Sequence, residues 1–195
     1  MSTEADFGPR LLSSLFTAQD RRPAHLDDLD LLSMTPFERG WLVMVGLVTQ
    51  LIEAYTLEPV QVQQLWQDRR AMSADDEWLQ VEAGHEVISR QVLLTGARTA
   101  RAYVHGEALI VGDRLPVEVQ KDLYNSKMGL GQILQHRNIE TRGELLWCGL
   151  ENVSEVPEPF GSSKERPAIS RTYRFIHQGV PAVLITERFQ PPVGY

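Results

Sequence analysis

Two charged residues stand where strand alternation calls for apolar ones. Over Glu86–Thr95, every second position reads Ile88, Arg90, Val92, Leu94, and a period of two places all four on one face of a strand. Over Ala182–Gln190 the same count gives Val183, Ile185, Glu187, Phe189. A charge on an apolar face is costly unless paired or solvated, so each demands a partner. Two arrangements meet that demand if both faces are assigned correctly. Arg90 and Glu187 pair with each other as a buried salt bridge, or they border an enclosed ligand that is anionic at one end and hydroxylated at the other. The planar fork of Arg matches a carboxylate. A carboxylate withdrawn from water serves as acid, base or hydroxyl acceptor.

Other reactive side chains form no comparable pattern. His25, His85, His105, His136 and His177 are scattered, with no metal-ligand spacing. His105 shares an alternating face with Arg101 and Tyr103, which reads as surface or rim. Cys148 follows Trp147 in an apolar run and reads as core, with no flanking base to activate a thiolate. Gly129-Leu130-Gly131 precedes a short helical stretch, so its backbone N–H groups can face an anion or simply serve a turn. Asp75-Asp76-Glu77 reads as a solvated acidic loop. No phosphate loop, dinucleotide fingerprint or nucleophile elbow occurs.

The elements that must position these residues follow from periodicity and turn chemistry. An amphipathic helix is predicted near Arg10–Gln19. Thr35-Pro36-Phe37-Glu38 has the capping-box spacing with Pro at the first helical position. A helix fits Val48–Tyr55, and a half-exposed strand begins at Val60. After a polar loop over 67–86, strands Glu86–Thr95 and Thr99–Val111 form a hairpin turned at Gly96-Ala97-Arg98. Helices are predicted over Pro116–Tyr124, with Pro at N1, and Gln132–Arg137, and a strand over Glu140–Glu151. The stretch 154–167, with three prolines, is a long loop or flap. Ile169–His177 and Ala182–Gln190 close the chain as a hairpin turned at Gln178-Gly179. Hairpin strands with helices beside them predict an α+β fold, one antiparallel sheet covered by helices.

The 195 residues, 43% hydrophobic and 23% charged, suit one globular domain over 1–195, with 1–34 as an N-terminal extension. A net charge of -7 argues against a nucleic-acid grip. A single cysteine excludes an intramolecular disulfide and a cysteine-rich zinc site. No apolar stretch is long enough to span a bilayer, and the acidic start lacks signal-peptide character. The expectation is a soluble cytoplasmic protein; nothing in the sequence sets an oligomeric state.

From about Leu42 to Tyr195 the chain resembles the chorismate lyase family, which removes pyruvate from chorismate to leave 4-hydroxybenzoate. Four landmarks in order carry the resemblance: Gly46-Leu47-Val48-Thr49 with Gln50-Leu51-Ile52-Glu53; Ser89-Arg90-Gln91-Val92-Leu93-Leu94; Gly129-Leu130-Gly131-Gln132-Ile133-Leu134 followed by Thr141-Arg142; and Gly179-Val180-Pro181 with Leu184-Ile185-Thr186-Glu187-Arg188-Phe189. The resemblance implies a six-stranded antiparallel sheet with an enclosed ligand site. It implies that Arg90, with backbone groups of Val48 and Leu130 and with Thr49 and Gly131 beside them, holds the ring carboxylate, and that Glu187 meets the ring hydroxyl. It implies a small-molecule carboxylate substrate and no metal or organic cofactor.

The chain departs from the family pattern at Val45-Gly46-Leu47, where relatives carry an acid and a hydroxyl, and at Val180, where they carry lysine. These departures leave two other readings open. One is an enzyme of the same fold acting on a more apolar substrate by cyclisation or rearrangement; the other is a non-catalytic small-molecule-binding module.

Overall fold

The computed structural model describes residues 4–152 and 167–190. Among the described residues, five α-helices, α1 (Glu4–Leu15), α2 (Pro36–Val43), α3 (Val48–Thr56), α4 (Val117–Asn125) and α5 (Leu130–His136), accompany six strands, β1 (Val60–Ala71), β2 (Glu86–Gly96), β3 (Ala102–Ile110), β4 (Arg142–Glu151), β5 (Ala168–His177) and β6 (Val180–Phe189). The strands form one antiparallel sheet in the order β1-β2-β3-β6-β5-β4. The expected α+β sheet covered by helices is therefore present, with six strands. Among the described residues, no helix is long and apolar enough to cross a membrane.

Local chemistry explains the element ends. Thr35 caps α2: its hydroxyl accepts from the Glu38 N–H at 3.3 Å, and its own N–H donates to Glu38 Oε2 at 2.6 Å. Leu57, at φ 53, takes the left-handed conformation that ends α3. The β2–β3 hairpin turn closes over Glu58, whose buried carboxylate accepts from the Thr99 hydroxyl at 2.8 Å, the Arg98 and Thr99 N–H groups, and the Tyr103 hydroxyl. Four hydrogen bonds from neutral donors hold this carboxylate at a pKa of about 2, and the Tyr103 hydroxyl is the largest influence.

Several boundaries differ from the periodic reading. The first helix is Glu4–Leu15; Leu12 within it and Phe16 just past its end reach the core. Pro116 is the cap before α4 and lies outside the first helical turn. The helix predicted from Gln132 begins two residues earlier, with Gly129 as its cap. The strand expected from Thr99 begins at Ala102, since 97–100 are spent on the hairpin turn. The proposed flap over 154–167 lies outside the described residues except for Pro167.

The core lies between one sheet face and the helices: Trp41, Leu42, Ile52, Leu123 and Ile133 pack against Ile110, Val183 and Phe189. Leu12, Phe16, Leu29 and Leu31 belong to the same cluster, so residues before 35 share this core. The outer edge of β4 is covered: the Thr17 and Ala18 N–H groups donate to Leu145 and Leu146 carbonyls at 2.9 Å, which removes an unpaired strand edge.

Candidate active site

The registers place the two anomalous charges on the helix-covered face, in adjacent cross-strand rows. Arg90 pairs with Ala108 and Ala108 with Ile185, whereas Glu187 pairs with Gly106 on one side and Arg171 on the other. Two strand spacings and a two-residue offset put the Arg90 and Glu187 Cα atoms about 12 Å apart. The two do not pair with each other; the ion pair of Glu187 is with Arg171, at 2.7 Å. Gly106, opposite both Val92 and Glu187, leaves the floor between them without a side chain.

Over this floor opens a pocket of about 660 Å³ of atom-free space, part of it continuous with solvent. Its mostly apolar lining with a few polar groups suits a small organic molecule. The start of α3 (Val48, Thr49) and the start of α5 (Leu130, Gly131) form one wall, with Leu47 and Gln132; Val92, Leu94, Val104, Ile185 and Phe175 supply apolar sides. Thus all six expected site residues, Arg90, Glu187, Val48, Thr49, Leu130 and Gly131, line a single pocket.

Arg90 is 4% exposed, and its Nη2 donates to the Met128 carbonyl at 3.0 Å. Among the described residues its Nε and Nη1 have no hydrogen-bond partner. Burial lowers the guanidinium pKa from its ordinary value, yet arginine stays protonated in proteins. The result is a desolvated cation with two open donors. Thr49, 5% exposed, also has a hydroxyl without a partner among the described residues.

The backbone near Arg90 adds donors. Leu47 precedes α3 with no side-chain cap, so the first-turn N–H groups of α3 are left without a local side-chain acceptor. Val48 is an exception to the expected arrangement, because its N–H donates to the Gly46 carbonyl at 2.9 Å in a tight turn about Leu47. At α5 the Gln132 side chain accepts from the Gly129 N–H at 3.0 Å, while Leu130 and Gly131 occupy the first-turn positions that lack a carbonyl partner four residues back. A Cβ at Gly131 would approach Leu47 Cδ2 at 3.3 Å, a tight contact to which the leucine side chain would have to give.

Glu187, 6% exposed, is held from two sides. Its Oε2 accepts from Arg171 Nε at 3.0 Å and Nη2 at 2.7 Å, and its Oε1 accepts from the Tyr173 hydroxyl at 3.0 Å. Burial, reinforced by the Glu187 charge, pushes the Tyr173 hydroxyl well above its usual range, so Tyr173 remains a donor. An ion-paired carboxylate of this kind accepts hydrogen bonds and orients a hydroxyl.

Arg171 escaped the sequence reading, although the signal was present. Ile169, Arg171, Tyr173 and Phe175 alternate on one face of β5, the same violation that marks Arg90 and Glu187. His105 is corrected in the other direction. It is 2% exposed, lying beside Arg188, which bonds Glu151 at 2.9 Å and Glu107 at 3.1 Å. Alternation gave its face correctly but could not show that this second sheet face is covered at that position. Cys148 is buried as expected, and burial pushes its thiol up to about 12.

Comparison with known proteins places the chain in a family. Residues 42–194 match the family described as Chorismate pyruvate-lyase Rv2949c-like, a stretch that contains every residue named as lining the pocket. A chorismate pyruvate-lyase of Mycobacterium tuberculosis (strain ATCC 25618 / H37Rv) is 32% identical over 105 residues, covering 53% of this chain and 52% of that protein. One of Mycobacterium leprae (strain TN) is 30% identical over 105 residues, covering 53% and 50%. The chain thus spans about half the length of the curated relatives it matches. Among solved structures, the ligand-binding domain of a putative GntR-family transcriptional regulator from Bordetella bronchiseptica superposes with a TM-score of 0.55 at 16% identity, covering 67% of this chain and 85% of that one. PhnF from Mycobacterium smegmatis gives 0.55 at 14% identity, covering 76% and 65%. These two share the fold. By its match over residues 42–194, the chain belongs to the Rv2949c-like chorismate pyruvate-lyase family.

Proposed function

We propose that the protein is a chorismate pyruvate-lyase whose product is 4-hydroxybenzoate. The observation that carries this reading is the desolvated Arg90 guanidinium, on the wall of an apolar pocket and with Nε and Nη1 unpartnered among the described residues, one sheet row from the fixed carboxylate of Glu187. In this reading Arg90, the Thr49 hydroxyl and the first-turn amides of Leu130 and Gly131 hold the ring carboxylate, and Val48 contributes apolar wall. Glu187 Oε1 accepts the ring hydroxyl. The apolar sides Val92, Leu94, Val104 and Ile185 clasp the ring and keep water out.

The reaction needs orientation more than covalent chemistry. The ring C–O bond to the enolpyruvyl group breaks, and the neighbouring carbon that bears the hydroxyl loses its proton. The enolpyruvyl fragment gains that proton and leaves as pyruvate, while the electron pair of the broken C–H bond completes the aromatic ring. Atoms and charge balance without water or a redox partner. Arg90 and Glu187 contribute by pinning the two ends of the ring so that the departing groups align.

Incubating the protein with chorismate should release pyruvate and 4-hydroxybenzoate in equal amounts, and the Arg90→Ala variant should lose this activity. No pyruvate above background from folded protein would refute the lyase reading. A second reading, an enzyme of the same fold acting on a monocarboxylate, is favoured by one observation: among the described residues Arg90 is the only cation on the pocket wall, whereas chorismate carries a second carboxylate. Binding of 4-hydroxybenzoate without turnover of chorismate would favour it.

A further inference from the structure

Arg171 does not border the ligand pocket, yet it is fully buried at 0% exposure and makes contacts in two directions. Toward the sheet, Nε and Nη2 both donate to Glu187 Oε2. Toward the helices, Nη1 donates to the carbonyls of Trp41, Leu42 (3.2 Å) and Met44 at the end of α2. Its guanidinium carbon lies 4.4 Å from the centre of the Trp41 ring and 5.1 Å from that of Tyr173. A guanidinium fixed by three carbonyls and two ring faces has no freedom to follow a moving carboxylate. The carboxylate is instead constrained to follow it.

We propose that Arg171 is a positioning residue for the hydroxyl end of the site, anchoring the Glu187 carboxylate to the C-terminal carbonyls of α2 so that Oε1 alone is presented to the ligand. Both Arg171 donors go to Oε2, and Tyr173 takes one acceptor position of Oε1. What is left on Oε1 accepts one hydrogen bond. The pocket therefore selects a ring that offers a hydroxyl donor at that end, and the selection depends on Arg171 although Arg171 touches no ligand. Lysine cannot replace it: an ammonium is a compact point charge without the planar fork that reaches a carboxylate and backbone carbonyls together.

This inference rests on reading the pocket as a hydroxybenzoate site, and its test separates the two claims because it needs no turnover. Binding of 4-hydroxybenzoate and of benzoate, which share the carboxylate and differ in the hydroxyl, is measured by calorimetry on the wild type, Arg171→Lys, and the double variant Arg171→Met with Glu187→Gln. The double variant removes both charges together and so avoids an unpaired buried ion. Circular dichroism and thermal melts establish that each variant is folded.

The wild type should prefer 4-hydroxybenzoate by about tenfold or more, as expected for a hydrogen bond to a charged acceptor. Arg171→Lys should lose most of that preference, approaching the level of the double variant, which lacks the charged acceptor itself, while benzoate affinity changes little. A residue serving stability alone would lower the melting temperature and leave the ratio intact. If folded Arg171→Lys keeps the wild-type ratio, or if the wild type shows no preference for Arg171 to maintain, the proposal is overturned. A preference present in the wild type and lost in folded Arg171→Lys supports it even if chorismate releases no pyruvate, an outcome that would refute only the lyase reading.

Discussion

Replacing Arg90 by methionine should weaken ligand binding and stabilise the empty protein at the same time. Met keeps most of the length of the side chain among Val92, Leu94 and Leu130, and removes the charge. Among the described residues Arg90 has one hydrogen bond, to the Met128 carbonyl at 3.0 Å, against the cost of a buried cation with two unpartnered donors. Uncompensated burial of an ion costs several kcal/mol, while the lost bond to Met128 is worth about 1.5–3 kcal/mol. The balance predicts a gain of roughly 1–2 kcal/mol. For a chain of this size that corresponds to a rise in Tm of about 2–8 °C. Binding moves the other way. Losing one partner of a desolvated charge pair costs about 2–5 kcal/mol, a weakening of ~30-fold to several thousand-fold for 4-hydroxybenzoate. Ligand at one hundred times its Kd should stabilise the wild type by about 2.7 kcal/mol, and the same concentration should stabilise the variant by about 0.9 kcal/mol at most. Thermal melts with and without 4-hydroxybenzoate, plus calorimetric titration, measure both halves. An Arg90→Met protein that melts several degrees below the wild type without ligand, yet binds with unchanged affinity, would show that Arg90 is a structural residue.

Three further outcomes follow from other parts of the fold. Glu58 is held at about 2, below its ordinary 4.5, so the folded state binds its proton more weakly than the unfolded state. Its stabilisation is therefore complete above pH 4.5 and is lost as pH falls toward 2. Urea midpoints across that range should fall more steeply for the wild type than for Glu58→Gln, and parallel curves would rule the linkage out. Gly96→Ala would drive a Cβ into Glu58 Oε1 and Thr99 Oγ1, disturbing the same turn; a loss of about 1–3 kcal/mol in denaturant unfolding is expected, and no loss would mean that the turn yields freely. Buried, with its thiol pushed up to about 12, Cys148 should resist a thiol reagent at pH 8 until denaturant is added; rapid labelling of the native protein would contradict its burial.

Periodicity and turn chemistry determined much of this architecture, because they are local. Alternation assigned Arg90 and Glu187 to the correct faces, since a strand's side chains obey a period of two whatever lies above them. The capping box at Thr35 and Glu38 was equally legible, its partners lying three residues apart. Tertiary structure alone decided who pairs with whom. Arg90 and Glu187 satisfy the same rule of alternation whether bonded to each other or not, and only the strand order β2-β3-β6-β5 puts Arg171 beside Glu187 and leaves β3 between the two site charges. The order of strands in a sheet depends on long-range packing, which no local period encodes. His105 makes the same point from the other face, where burial depends on covering segments distant in sequence. The sequence thus determined which charges are out of place; the fold decided that one is bound and the other left open for a ligand.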